Sequence, residues 1–274
     1  MAGKPERVPK ALRELGKLLE SLPANPAPKD VHKLRTVARR VEAIAAVLSA
    51  SDRRASRRLF RSIEPVRKAA GEVRDMDVLI SHSRRMARYS AGASLARLVS
   101  HLENARKESA AEFERTLDRR RKGARESVKQ YSKVVKSALS RAKSGAPRFG
   151  GQPQEGVHSA AMKTVRELGD WPQLDQENIH AFRIKAKGLR YILQFYADAD
   201  AGLVEALGEA QRRIGDWHDW QQLTEIAHLI LNPNEDEALI ARIAAIAKRK
   251  FDQAISSANT LRGRHLAMPI AAGA

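Results

Sequence analysis

The sequence predicts an all-α fold, and three observations support this. Long runs are rich in Ala, Leu, Arg, Glu and Lys, which are strong helix formers. Alternating β-branched segments of the strand type are missing. Proline and glycine are concentrated in a few places, where they separate the helical runs. Because 43% of the 274 residues are apolar, the helices have enough apolar surface to bury a core.

The proline and glycine clusters divide the chain. Residues 1–29 form an N-terminal extension whose prolines leave room for one short helix, about Lys10 to Ser21. The segment 144–156 is the densest in Gly and Pro and is predicted to be a linker. It separates a first helical half, 30–143, from a second, 157–262. A tail, 263–274, is expected to fray.

The segment Val31–Leu48 has clear helical periodicity. Its apolar residues recur at intervals of three and four, which places them on one face. This stripe comprises Leu34, Val37, Ala38, Val41, Ile44, Ala45 and Leu48. His32, Arg35 and Arg39 fall on the opposite face of the same helix. Asp30 is a suitable N-cap just before it.

The same pattern returns in the second half, in Ile179–Tyr191. The apolar stripe there is Phe182, Ala186, Leu189, Ile192, Leu193 and Tyr196, and the basic face is His180, Arg183, Lys187 and Arg190. A second element also recurs, because Gly71–Asp77 follows His32 much as Gly215–Asp219 follows His180. Matching order and spacing indicate an internal duplication. We therefore predict two pseudosymmetric bundles of about four helices each, which would bring the two basic faces to one shared surface.

The charge of the chain predicts a polyanionic partner. Fifty Lys and Arg against 32 Asp and Glu leave a formal charge of +18, which nucleic acid, an anionic membrane surface or polyphosphate would satisfy. The absence of cysteine excludes disulfides and thiolate chemistry. A membrane-spanning helix needs about 20 consecutive apolar residues, and no stretch approaches that. The N-terminus also lacks the apolar core of a signal peptide, so we expect a soluble cytoplasmic protein.

The duplicated motifs resemble a known family. His32-x-x-Arg35-x-x-x-Arg39-Arg40, the segment Gly71–Val78, and His180-x-x-Arg183-x-x-x-Lys187-x-x-Arg190-Tyr191 are similar to motifs of the CHAD domain, the conserved histidine α-helical domain. The resemblance spans about residues 30 to 262. It implies two pseudosymmetric four-helix bundles, binding of inorganic polyphosphate in a basic groove, and association with polyphosphate granules. Because the sequence contains no His-Glu-x-x-His, Gly-x-Ser-x-Gly or phosphate-binding-loop motif, we predict a binding module without catalytic residues, metal or cofactor.

The resemblance also assigns candidate binding residues. They are His32, Arg35, Arg39, Arg40, His180, Arg183, Lys187 and Arg190. Two positions depart from the family pattern. Gly188 stands where a second basic residue is common, and His218 stands where the first half has Arg74. No Glu-x-Glu-x-Glu run of a triphosphate-tunnel hydrolase is present, so the chain resembles a stand-alone CHAD protein.

The chemistry of these residues suits a linear phosphate polymer. Helical residues seven apart are separated by about 10 Å along the axis, so His32, Arg35 and Arg39 form a short cationic ladder. Arginine pairs two phosphate oxygens at once, and histidine becomes more basic beside a phosphate. Only Tyr191 lies near the edge of such a face, which disfavours single-stranded nucleic acid because its bases stack on aromatic side chains.

Further features have weaker signals. Additional candidates for polyphosphate contact are Lys33, Arg54, Arg57, Arg58, Arg61 and Arg74. The basic run Arg119–Arg125 is interpreted mainly as solvated surface. Gly71 is expected to end one helix, and Asp75 to cap the next or to pair with an arginine. Trp171, Trp217 and Trp220 are expected in the core of the second bundle.

Two other functions stay open. A general nucleic-acid or polyanion binder would also need a basic groove. A metal-dependent phosphohydrolase of the HD type is the less favoured alternative, in which His180, the pair His218–Asp219 and Asp252 would converge on a divalent metal.

Overall fold

The computed structural model describes residues 7–23, 26–48, 53–87, 92–143, 153–193 and 200–267. These residues form eight α-helices and one π-helical turn and contain no β-strand, which confirms the predicted all-α fold. The helices are α1 (Arg7–Ser21), α2 (Pro28–Leu48), α3 (Arg53–Met86), α4 (Ala93–Lys143), α5 (Pro153–Gly169), α6 (Ile179–Leu193), α7 (Ala201–Ile230) and α8 (Glu237–Leu261), with the turn at Arg262–Leu266. No helix in this part of the chain has both the length and the apolarity needed to cross a membrane.

The chain divides into two compact units. The first takes its residues from 4–153 and 230–236 and contains α1 to α4. The second takes them from 154–229 and 237–274 and contains α5 to α8, except for the terminal residues Pro153 and Ile230. Helix α5 begins at Pro153, inside the predicted linker, whose residues 144–152 lie outside the described ranges. The pseudosymmetry of the two halves stays a prediction.

Helix α1 is the short helix predicted in the N-terminal extension. It presents a buried apolar face to α2 and α4, formed by Val8, Leu12, Leu15 and Leu19. Two arginines of α4 secure its C-terminal end. Arg121 donates hydrogen bonds to the carbonyls of Glu20 and Leu22, each at 3.0 Å, and Arg125 pairs with the Glu20 carboxylate at 2.6 Å. Part of the Arg119–Arg125 run thus satisfies carbonyls that a helix end leaves without partners.

Helix α2 buries the predicted apolar stripe in the core of the first unit. Leu34, Val37, Ala38, Val41 and Ala45 are all at most 3% exposed, whereas the side chains of Ile44 and Leu48 lie outside the described structure. The helix begins at Pro28, so Asp30 lies in its first turn and not at the predicted N-cap. Proline suits a first helical position, and a carboxylate in the first turn suits the helix dipole.

The core of the second unit is built around α6 and α7. Phe182, Leu189 and Trp217 belong to one buried cluster, and Trp171 packs against it with its ring 5.7 Å from that of Phe182. Trp220 is also buried, at 7% exposure. The prediction is thus confirmed for Trp217, whereas Trp171 lies at the margin of this cluster and Trp220 is buried outside it.

Candidate anion-binding faces

Helices α2 and α3 form a cluster that we refer to as the first basic face. It comprises His32, Arg35, Arg39 and Arg40 of α2 and Arg74 of α3. Arg40 is exposed, and Arg35, Arg39 and Arg74 are half-buried. Lys33, a further candidate, pairs instead with Glu14 of α1 at 3.7 Å. The structure thus directs Lys33 towards α1 and places Arg74 within electrostatic range of His32.

Arg35 lies in the interface between α2 and α3, and its side chain is 20% exposed. Its Nη1 donates to Asp75 Oδ1 at 2.7 Å, which confirms the predicted arginine pairing of Asp75. The guanidinium covers Gly71, where a Cβ atom would lie 3.7 Å from Cζ of Arg35. The prediction that Gly71 ends a helix is wrong, because α3 continues from Arg53 to Met86. Gly71 instead lies in the interior of α3 beneath the Arg35 guanidinium, at a distance that an alanine would also allow.

The surroundings of His32 oppose its charged form. Although His32 is exposed overall, partial burial of its imidazole lowers its pKa from the ordinary value, and the nearby charges of Arg74 and Arg35 lower it further. A positive cluster that depresses the pKa of a histidine is a region of positive potential. Such a region attracts an anion, and an anion would in turn favour protonation of His32.

Helices α6 and α7 form the corresponding cluster in the second unit, which we refer to as the second basic face. It comprises His180, Arg183, Lys187 and Arg190 of α6 and His218 of α7. Arg183 covers Gly215, where a Cβ atom would lie 2.8 Å from Nη2. Arg190 covers Gly208 in the same way, at 3.3 Å from Cζ. Two arginines seven residues apart therefore lie against two glycines seven residues apart, with a spacing of about 10 Å on each helix.

The remaining members of the second face also contact neighbours. The rings of His180 and His218 lie 5.5 Å apart, so His218 occupies the place that Arg74 has beside His32. The ammonium group of Lys187 lies 6.0 Å from the centre of the Tyr191 ring. Gly188 is exposed in the middle of α6, and a Cβ atom there would meet nothing within 4 Å.

One position differs in charge between the two faces. Arg190 donates to the amide oxygen of Gln211 at 3.2 Å in the second unit. At the matching place in the first unit, Glu42 accepts from Arg67 at 2.7 Å, with both side chains 19% exposed. Burial raises the pKa of Glu42, although the hydrogen bond and charge of Arg67 oppose this. The sequence comparison did not reveal that Glu42 of the first unit stands where the second unit has Arg190, because it considered basic residues only.

Arginines of the two basic faces bury the Nε atom of the guanidinium group. Nε of Arg35 and Nε of Arg190 are buried and have no hydrogen-bond partner within the described structure. Burial of an unpaired donor costs about 1–3 kcal/mol, so these side chains are held in place at a cost. Buried polar groups normally have a hydrogen-bond partner, so an additional acceptor, such as a phosphate oxygen or a water molecule, would satisfy these atoms.

The other candidates lie elsewhere. Arg54, Arg57, Arg58 and Arg61 line a cavity between α3 and α4, where Arg119 and Arg120 join them. For the phosphohydrolase alternative, Asp252 is an exposed residue of α8. The described residues contain no group of three or more His, Cys, Asp or Glu side chains that could hold a metal ion.

Comparisons with known proteins agree with this architecture. The family model of the CHAD domain matches residues 7–228. No curated protein matches the chain. Among solved structures, the fold is similar to the CHAD domain from the plant Ricinus communis, with a TM-score of 0.65 and 16% identity over 96% of this chain and 91% of that one. The histidine-headed basic helices and the extent of the match lead to one conclusion: the chain belongs to the CHAD domain family.

Proposed function

We propose that this protein binds inorganic polyphosphate through its two basic faces, as a non-catalytic module located in the cytoplasm at polyphosphate granules. The observation that carries the proposal is the repeated arrangement of a histidine followed three residues later by an arginine that covers a glycine of the next helix. A linear phosphate polymer offers the same anionic group at regular intervals, so a repeated cationic element suits it.

The chemistry of the faces supports a phosphate ligand. The side chains of Arg35, Arg183 and Arg190 are held against neighbouring helices, so less conformational entropy is lost when they bind. Arginine presents a planar fork that matches two phosphate oxygens. Family membership supports the same ligand, because the CHAD family is associated with polyphosphate binding in general.

A general polyanion binder is the alternative that the structure favours less. Nucleic-acid binders that accept single strands use exposed aromatic rings as stacking platforms. Tyr191, at the edge of the second basic face, already lies near the ammonium group of Lys187. Duplex DNA needs no such platform, so competition between the two polymers is the informative test.

The test is a competition experiment at physiological salt. The protein is loaded with labelled long-chain polyphosphate and then challenged with unlabelled polyphosphate or duplex DNA at equal phosphate concentration. We expect polyphosphate to compete at least about tenfold better, or roughly 1.4 kcal/mol. Equal competition would contradict the proposal and identify a general polyanion binder. Release of orthophosphate during the incubation would contradict the non-catalytic part.

A further inference from the structure

A second cationic site lies in the first unit, in a cavity that we refer to as the arginine groove. Six arginines line it: Arg54, Arg57, Arg58 and Arg61 of α3, and Arg119 and Arg120 of α4. Its volume is about 710 Å³, and Ser62, Gly123 and Ala124 complete the lining, which contains no carboxylate. We propose that the arginine groove binds a compact oligophosphate group of about three consecutive phosphoryl units, independently of the two basic faces.

The charges in the groove are largely left for a ligand. Arg58 donates to a neutral acceptor, the amide oxygen of Gln130, at 3.1 Å. Arg119 contacts the Glu112 carboxylate at 3.3 Å, outside the cavity lining. The neighbouring Arg121 and Arg125 are engaged by the end of α1 and do not line the groove. Six like charges around one cavity repel one another, and a multiply charged anion would relieve this repulsion.

The identity of the six cations indicates a phosphate group. All six are arginine and none is lysine, and arginine offers paired donors that match phosphate oxygens. Small-molecule sites are usually lined mainly by apolar groups, so this lining selects for a densely charged ligand. A cavity of this size is also within the range that small molecules occupy.

The groove is separate from the first basic face. Gly71 marks the side of α3 that contacts α2, because Arg35 covers it. Arg61 and Arg58 precede Gly71 by ten and thirteen residues, which corresponds to about 15 and 20 Å along α3 and to about 80° and 140° around its axis. The groove accordingly opens on the side of α3 that packs against α4.

The arginine groove is also not part of the internal duplication. Counted from Gly215, the positions that match Arg57, Arg58 and Arg61 are Ala201, Gly202 and Glu205. The second unit thus has no cationic equivalent at these places. The duplicated faces therefore do not account for the arginine groove.

A neighbouring cavity of about 410 Å³ extends the groove and shares Arg54 and Arg58 with it. Its other lining residues are uncharged: Ala55, Ser127, Gln130, Tyr131 and Val134. The oligophosphate group could therefore come from two sources, namely a nucleoside triphosphate, whose organic part would enter this cavity, or the end of an inorganic polyphosphate chain.

Gly123 allows a direct test, because it lines the groove and a Cβ atom there would meet nothing within 4 Å. Gly123→Glu places a carboxylate in the groove, Gly123→Ala is the steric control, and Ser137→Glu adds the same charge at an exposed place on α4. In calorimetric titrations with tripolyphosphate, we expect Gly123→Glu to weaken binding at least tenfold. Both controls should stay within about twofold of the unmodified chain. Equal binding by Gly123→Glu and Ser137→Glu would overturn the proposal.

A second variant and a second ligand make the result specific. Arg57→Gln with Arg61→Gln removes two exposed cations and should reproduce the loss, while melting curves check that each variant is folded. A tripolyphosphate site lost only in Arg35→Ala/Arg39→Ala would overturn the arginine groove and leave the proposed function intact. If the unmodified protein binds tripolyphosphate in a Gly123-dependent manner but does not bind long-chain polyphosphate, the arginine groove is supported and the proposed function is contradicted.

Titration with ATP distinguishes the two sources of the oligophosphate group. Binding of ATP that depends on Gly123 supports a nucleoside triphosphate, and binding of tripolyphosphate alone supports the end of a polyphosphate chain.

Discussion

The protonation of His32 is expected to make polyphosphate binding at the first basic face depend on pH. Burial and the charges of Arg74 and Arg35 lower its pKa, so the empty protein holds this imidazole mainly neutral near pH 7. A polyphosphate chain beside it would reverse the sign of the local potential and raise the pKa. Binding would then be coupled to the uptake of a proton.

This coupling predicts how affinity depends on pH. We expect the affinity for long-chain polyphosphate to rise as the pH falls from 8 to 6, by up to about tenfold per pH unit for one proton taken up. Long chains are suitable because few of their phosphates are terminal groups that titrate near neutrality. His32→Gln keeps a hydrogen-bond donor but cannot titrate, so its dissociation constant should depend less on pH. Parallel pH profiles for the two proteins would contradict the proposed role of His32.

The lowered pKa of His32 also makes the folding stability of the empty protein depend on pH. Stability should fall as the pH falls, whereas the affinity for polyphosphate should rise. A histidine whose pKa is lower in the folded state takes up its proton in the unfolded chain first, so stability is lost as the pH falls through the ordinary value. Bound polyphosphate should remove this loss. Melting temperatures with and without polymer at pH 6 and pH 8 provide an independent check on the sign.

At the scale of the helices, both basic faces contain the same contact, in which an arginine of one helix packs against a glycine of the next. Arg35 crosses α3 at Gly71, and Arg183 and Arg190 cross α7 at Gly215 and Gly208. Glycine in a helix interior costs about 1 kcal/mol relative to alanine, which is a disadvantage unless the missing side chain has a use. At Gly215, and less tightly at Gly208, the missing side chain leaves space for a guanidinium that lies against the helix.

The distance between the glycine and the arginine differs between these contacts, so Gly215→Ala and Gly71→Ala form a matched pair of variants. A Cβ atom at Gly215 would lie 2.8 Å from the Arg183 guanidinium and would displace it, whereas at Gly71 it would make an ordinary 3.7 Å contact. We expect Gly215→Ala to weaken polyphosphate binding about fivefold, a part of the roughly 1.5–3 kcal/mol that a charged hydrogen bond contributes. Gly71→Ala should bind within about twofold of the unmodified protein. Binding constants and melting curves for both variants test this prediction.

A double-mutant cycle distinguishes displacement of Arg183 from a general effect on the fold. If Gly215→Ala acts by moving Arg183, then Arg183→Ala should cost less in the Gly215→Ala protein than in the unmodified chain. Additive losses would show that Gly215 influences binding by another route. An equal loss of binding in Gly71→Ala would contradict the argument from distance.

The helical stripes could be predicted from the sequence because their signal is local. Leu34, Val37 and Val41 recur with the period of one helix, and they are buried in α2 as expected. The duplicated order of histidine, arginine and glycine also identified the two faces and the place of His218. Both signals require no knowledge of how helices pack.

The side chains that cross between helices could not be predicted in the same way. The pairs Arg35–Gly71 and Arg190–Gly208 join residues on different helices, so their contact depends on tertiary packing. Glycine commonly ends a helix, so the sequence predicts a helix end at Gly71, whereas this residue is buried against Arg35 in the interior of α3. In the sequence, Arg119–Arg125 is one basic run, whereas helical geometry directs Arg121 to α1 and Arg120 to the arginine groove.

For the molecule as a whole, the two units carry the same element with different charge. Gly188 removes one cation from the second face, which on the sequence alone predicts a weaker contribution from that half. Arg190 compensates, because it occupies the place where the first unit has Glu42. We therefore expect the two faces to contribute similarly.

A polymer long enough to reach both faces would bind them cooperatively, because the first contact raises the effective concentration of the second. Arg35→Ala/Arg39→Ala and Arg183→Ala/Arg190→Ala should each weaken long-chain binding about tenfold or more, since each removes charged hydrogen-bond donors that contribute about 1.5–3 kcal/mol. The matched control Lys129→Ala/Lys133→Ala removes two exposed cations of α4 and should have little effect beyond weaker long-range attraction.

Calorimetric titrations with long and with short polyphosphate chains distinguish cooperating faces from independent ones. Short chains should lose affinity at the mutated face only. Two independent sites would instead halve the stoichiometry of long chains in either variant while the remaining affinity stayed unchanged, and this outcome would contradict cooperation between the faces.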